Sequence, residues 1–99
     1  MDETLFLVEF IKSEIQANNK LEIVEHGYIT KKSSYKVALK RSEEAAWKLI
    51  YKYIEKLVKT VDMYYEVTED LEMGNAVIIF SKNNKVDTRY TFHIVEAAI

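Results

Sequence analysis

Apolar and polar positions along this chain change period several times, and each change marks a predicted element. From Leu5 the apolar residues Leu5, Val8, Ile11 and Ile15 recur every three or four positions, with Phe6 and Phe10 beside them. That spacing predicts an amphipathic helix over residues 2–18, capped at Asp2 or Thr4 and closed at Asn18 and Asn19. Leu21 and Ile23 then alternate with Glu22, and Tyr35, Val37 and Leu39 alternate with Lys36, Ala38 and Lys40. A period of two predicts strands over 20–29 and 35–41, joined as a hairpin through residues 30–34. Gly27 interrupts the first of them and predicts a bulge or a close backbone approach.

The strongest pattern begins at Ser42, whose hydroxyl suits a helix cap, with Glu43 and Glu44 in the first turn. Trp47, Ile50, Ile54, Leu57, Val61 and Tyr64 follow at alternating spacings of three and four, against Lys48, Lys52, Glu55, Lys56, Lys59 and Asp62. This predicts a second amphipathic helix of about five to six turns. Its end is ambiguous, because residues 62–67 also read as a strand. Residues 76–82, AVIIFSK, are almost unbroken in apolar character and predict a strand buried on both faces or nearly so. Asn83 and Asn84 predict a two-residue turn with positive φ. Val86, Thr88, Tyr90, Phe92 and Ile94 alternate against Asp87, Arg89, Thr91 and His93 and complete a C-terminal hairpin. Residues 95–99 fit neither period. The expected fold is α+β in a single domain, residues 1–99: an antiparallel sheet of hairpins with two helices packed on one face. Its expected order is helix–strand–strand–helix–(strand)–strand–strand.

Composition narrows the chemistry. With 48% hydrophobic and 30% charged residues the chain is expected to fold rather than remain disordered. It has no cysteine, which excludes disulfides, thiolate nucleophiles and cysteine-based zinc sites. Two glycines, at Gly27 and Gly74, cannot build a phosphate-cradling loop, and no serine sits in a nucleophile elbow. His26 and His93 have no metal-ligand spacing, and the carboxylates Glu69, Asp70 and Glu72 read as a solvated loop. The expectation is a protein without catalytic residues, metal or cofactor. Leu5–Ile11 is too short to span a bilayer and follows Asp2 and Glu3 where a secretory signal needs positive charge. A cytoplasmic location with no membrane partner is therefore expected.

Binding is the remaining class. Seven tyrosines is a high count for 99 residues, and tyrosine is enriched where proteins meet. Tyr51, Tyr53, Tyr64 and Tyr65 form the candidate interaction surface. Tyr51 and Tyr53 stand roughly 200° apart on a helix, so only one of them faces a sheet. Charge is blocked: residues 31–59 carry nine Lys or Arg against three Glu, and residues 60–80 carry five acids and no base. Such blocks orient a domain on a partner, or two copies head to tail. The candidate basic patch is Lys31, Lys32, Lys36, Lys40, Arg41, Lys48, Lys52, Lys56 and Lys59. Strand alternation places Lys36 and Lys40 on a solvated face, Lys31 and Lys32 in a turn, and Arg41 before the helix cap. With a net charge of -2, the reading that follows is a protein-interaction domain, self-associating as a homodimer or binding a host factor. Nucleic-acid binding through residues 31–59 is the alternative.

The composition as a whole is short, cysteine-free and rich in Ile, Tyr, Lys and Glu, with long charged helices. In this it resembles the small orphan accessory proteins of viruses that infect thermophilic archaea. Small phage proteins of low-GC bacteria share the profile. The resemblance implies a thermostable accessory protein in the host cytoplasm, without catalytic machinery, and assigns no site.

Overall fold

The computed structural model describes residues 4–31 and 36–98. The elements run β1 (Thr4–Ile15), β2 (Leu21–Tyr28), α1 (Glu43–Thr60), β3 (Tyr64–Asp70), β4 (Asn75–Lys82) and β5 (Lys85–Ala98). All five strands join one antiparallel sheet in the order β2-β1-β5-β4-β3. The two edge strands, β2 and β3, therefore run in the same direction at opposite sides. Helix α1 connects them, lying across one face over β1 and β5.

The N-terminal segment is a strand, so among the described residues the sheet carries a single helix and the expected pair of helices is corrected. The reason lies in β1 itself. Its even positions include Val8 and Phe10, both buried under α1, while Leu5, Leu7, Ile11 and Ile15 point to the opposite face. A strand apolar on both faces loses its period of two, and the subset Leu5, Val8, Ile11, Ile15 fits a helical spacing by coincidence. Phe, Val and Ile favour a pleated surface, and β5 supplies the partner: Phe10 stands opposite Phe92, and Val8 opposite Ile94.

The predicted hairpin of 20–29 with 35–41 is also corrected. β2 pairs back onto β1 through a tight turn in which Asn19 takes φ 63° and its N–H donates to Gln16 O at 2.9 Å. Among the described residues, the stretch from Lys36 to Arg41 makes only isolated bridges, Thr30 with Val37 and Phe6 with Lys40. Phe6 and Lys40 exchange two backbone hydrogen bonds of 2.7 Å, which close the edge of β1 beyond the end of β2. Lys32 and Tyr35 lie outside the described residues.

Helix α1 starts where its sequence predicts, with Ala45 N–H donating to Ser42 Oγ at 3.1 Å. It stops at Thr60, and Tyr64 already belongs to β3, so the ambiguity over residues 62–67 resolves toward strand. The Asn83–Asn84 turn takes φ 52° and 61° as expected of a two-residue hairpin. Residues 95–98, which fit no period, extend β5 along β1.

The core is the layer between α1 and the sheet. Ala46, Ile50 and Ile54 meet Val8 and Phe10 of β1, Ala76, Ile78 and Phe80 of β4, and Tyr90 and Phe92 of β5. Aromatic rings interlock in it: Tyr53 lies 5.8 Å from Phe10 and 5.4 Å from Phe92, and Phe80 meets Tyr90 edge-on at 6.2 Å. β4 is buried on this face alone, since Val77 and Ile79 point to the other side of the sheet. No helix among the described residues is long and apolar enough to cross a membrane.

Ile50 is fully buried at the centre of this single layer. Ile50→Ala is expected to cost about 2–5 kcal/mol, read as a fall in the urea midpoint with an unchanged m-value.

Candidate functional site

Two surfaces combine exposure with organisation. The first is the sheet face opposite α1. The odd positions of β1 fall on it, in register with Thr91, His93 and Val95 of β5 and with Val77 and Ile79 of β4. Leu7, Ile11, Val77, Ile79 and Val95 are half-buried there by their neighbours alone, and no described element covers them. Toward the turn after β1, Ile15 pairs with Leu21, and Ile23 is 65% exposed. An antiparallel sheet with one solvated face ordinarily alternates apolar and polar residues, and β1 and β4 depart from that. Polar groups line the margins, with Tyr64, Glu66, Thr68 and Asp70 on β3 and His26 and Tyr28 on β2, and the central strand β5 adds Arg89, Thr91 and His93 between the apolar residues of β1 and β4. Within the face, Glu9 is met by His26, whose Nε2 lies 3.0 Å from Glu9 Oε2.

The second surface is a groove of about 1140 Å³ on the helix side, between α1 and the edge of β2. It exists because α1 sits over β1 and β5 and leaves β2 uncovered. Its floor is apolar, with Phe10, Leu49, Tyr53 and Leu57. Gly27 stands opposite Phe10, and a Cβ there would meet the Phe10 ring at an ordinary 3.7 Å. The glycine thus keeps the floor low, and no backbone strain requires it. The rim carries Lys31, Lys40, Lys52, Lys56 and Lys59 against Glu25 and Glu55. Lys59 is paired with Glu55 at 2.9 Å and holds that carboxyl below its ordinary range. Lys31, Lys40, Lys52 and Lys56 form no ion pair within 4 Å among the described residues.

These arrangements redistribute the candidates read from sequence. Five lysines of the basic patch converge on the groove. Lys48 instead faces Glu44 at 3.8 Å, and Lys36 and Arg41 are exposed outside the groove lining. Lys32 lies outside the described residues. The four candidate tyrosines do not form one surface. Tyr53 turns into the core, and burial raises its pKa. Tyr51 stacks on Trp47 and donates to Glu69 across to β3, an interaction that raises its pKa. Tyr65 packs toward Phe80 on the helix side, and Tyr64 is on the opposite face donating to Glu66 at 2.9 Å, which raises its pKa. Sequence reasoning missed Leu7, Ile11, Val77 and Ile79 as surface residues. The signal was present as apolar character at both parities in residues 5–11 and 76–80, but it was assigned to a helix and to a doubly buried strand. Among the described residues no three His, Asp or Glu side chains gather as metal ligands.

Lys12 lies on the same side of β1 as Phe10, opposite Tyr90. Its Nζ lies 3.1 Å from Glu14 Oε1 and 5.6 Å from the centre of the Tyr90 ring. The hydrogen bond to Glu14 is the main cause of its raised pKa, and burial opposes it. Lys12 and Tyr53 both hold their protons more firmly in the folded state than in the unfolded one. Their contributions are fully present at neutral pH and are lost as pH rises above about 10. Urea midpoints measured from pH 8 to 11 are expected to fall at the alkaline end, and Lys12→Met to flatten part of that fall.

No family model matches the chain, and no curated protein or solved structure matches it either.

Proposed function

We propose that this chain is a non-enzymatic protein-interaction domain that works as a homodimer, and that the open sheet face is its interface. The observation that carries the reading is the set of apolar side chains Leu7 and Ile11 on β1, Val77 and Ile79 on β4, and Val95 on the strand between them, on a face that no described element covers. Solvated sheet faces rarely collect β-branched and leucine side chains in adjoining strands, because each leaves apolar area in water at a cost of about 25 cal/mol per Å². A second copy supplies the missing layer by closing a sandwich, with the two sheets about 10 Å apart.

The size of the face supports a second copy as occupant. At about 3.3 Å per residue and 4.8 Å between strands, the five strands span roughly 800 Å². That is what one partner contributes to an interface of standard size. A twofold pairing is self-complementary: the apolar residues of β1 and β4 and Val95 of β5 meet, Arg89, Thr91 and His93 of β5 are enclosed among them, and the polar residues of β2 and β3 form the rim. The hydrogen bond between His26 and Glu9 lowers the cost of enclosing Glu9. The edges are poorer candidates for continuous strand pairing. β2 carries an unpaired residue at Val24, where its register shifts, and β3 carries Glu66, Glu69 and Asp70.

The test is the solution mass. At 0.5 M NaCl, where surface charge is screened, sedimentation equilibrium is expected to give twice the chain mass of 11.6 kDa. Ile79→Lys is expected to halve it while leaving the circular dichroism spectrum unchanged. A strict monomer at high protein concentration, or a dimer indifferent to lysine at both Val77 and Ile79, overturns the proposal.

A further inference from the structure

The groove between α1 and β2 calls for a different occupant from the open face. Its apolar floor and lysine rim select a short segment that presents apolar side chains and carboxylates together. The chain contains one. The turn between β3 and β4, residues 71–74, holds Leu71 and Met73 with 66% and 65% of their surface exposed. Glu69, Asp70 and Glu72 flank them. The turn is built to hold this shape: Met73 N–H donates to Asp70 Oδ1 at 3.0 Å, Gly74 takes φ 69°, and Gly74 O accepts from Ile94 N–H at 2.8 Å. Two large apolar side chains kept in solvent by a hydrogen-bonded turn have no role within their own fold. The segment and the groove also lie on opposite edges of the sheet, beside β3 and β2, so one copy cannot bring its own two surfaces together.

We infer that the groove of one copy takes the 69–74 turn of another. Leu71 and Met73 enter over Phe10, Leu49 and Leu57, and the carboxylates meet Lys31, Lys40, Lys52 and Lys56. The basic block of residues 31–59 and the acidic block of 60–80 then answer each other across the contact. The fit in length is reasonable: the part of α1 that borders the groove, Leu49 to Thr60, runs about 18 Å at 1.5 Å per residue, room for a hairpin tip. A contact of this kind is heterologous. It leaves a free groove at one end and a free turn at the other, and so builds rings or filaments, separate from any twofold pairing of the sheet faces. Charge dominates its rim, so it weakens with salt.

Two variants test it because each destroys one half. Lys52→Glu/Lys56→Glu reverses the groove rim, and Leu71→Ser/Glu72→Lys disables the turn. All four positions are exposed, so both proteins are expected to fold. Labelled copies are followed by resonance energy transfer at 50 mM and 500 mM NaCl, in an Ile79→Lys background that removes the sheet-face contact. The parent protein is expected to associate at low salt, and each variant alone to associate at least about 10-fold more weakly. A one-to-one mixture of the two variants restores association, because the turn of the first fits the intact groove of the second. Variants that associate as the parent does, or a mixture that fails where the parent succeeds, overturn the inference. So does a parent whose lysines bind a labelled deoxythymidine oligonucleotide in a salt-dependent way without any association between copies.

Discussion

The pairing of the first strand with the last holds this molecule together. β1 runs antiparallel to β5 from Thr4 opposite Ala98 to Glu14 opposite Thr88. Without it the chain would be a two-stranded hairpin and a three-stranded meander joined by a helix. An isolated hairpin is at best marginally stable in water. The pairing makes one sheet of both parts, and it places Val8 and Phe10 beside Phe92 so that α1 has a continuous apolar bed. Because it joins residues from opposite ends of the chain, its loop-closure entropy must be met before the core forms, which favours slow folding.

A single helix then imposes asymmetry. An 18-residue helix covers the middle of five strands and no more. It leaves β2 uncovered on the same face, which opens the groove, and no described element lies over the opposite face. Both candidate surfaces are therefore consequences of one shortage, a sheet with more apolar area than one helix can cover. The charge pattern follows the same geometry. The basic block supplies the groove rim beside β2, the acidic block lies along β3 and its turn, and the sheet order sets those two edges apart.

How much of this was legible follows from how local each signal is. The start of α1, its inward residues Ile50 and Ile54, and the Asn83–Asn84 hairpin were all written in residues close together in sequence. A cap, a period of 3.6 and a pair of residues tolerant of positive φ each act within a few positions. β1 was not legible. Its faces meet different environments, one under α1 and one open, yet both are apolar, so the alternation that identifies a strand was erased. The groove was half legible: Lys52, Lys56 and Lys59 could be grouped by helical spacing, but their meeting with Lys31 and Lys40 depends on where β2 ends.

The sequence by itself determined the helix, the C-terminal hairpin, the blocks of charge, and the absence of any cysteine or glycine-rich chemistry. These depend on residue identity and short-range spacing. Only the tertiary structure decided that residues 4–15 are a strand, that β2 folds back on β1, and which apolar side chains remain uncovered. The physical reason is that a strand's conformation is satisfied by its neighbours. Leu5 to Ile15 have nothing in their own spacing that favours β over α, and the hydrogen bonds and side chains of β5, some 80 residues along the chain, settle the choice.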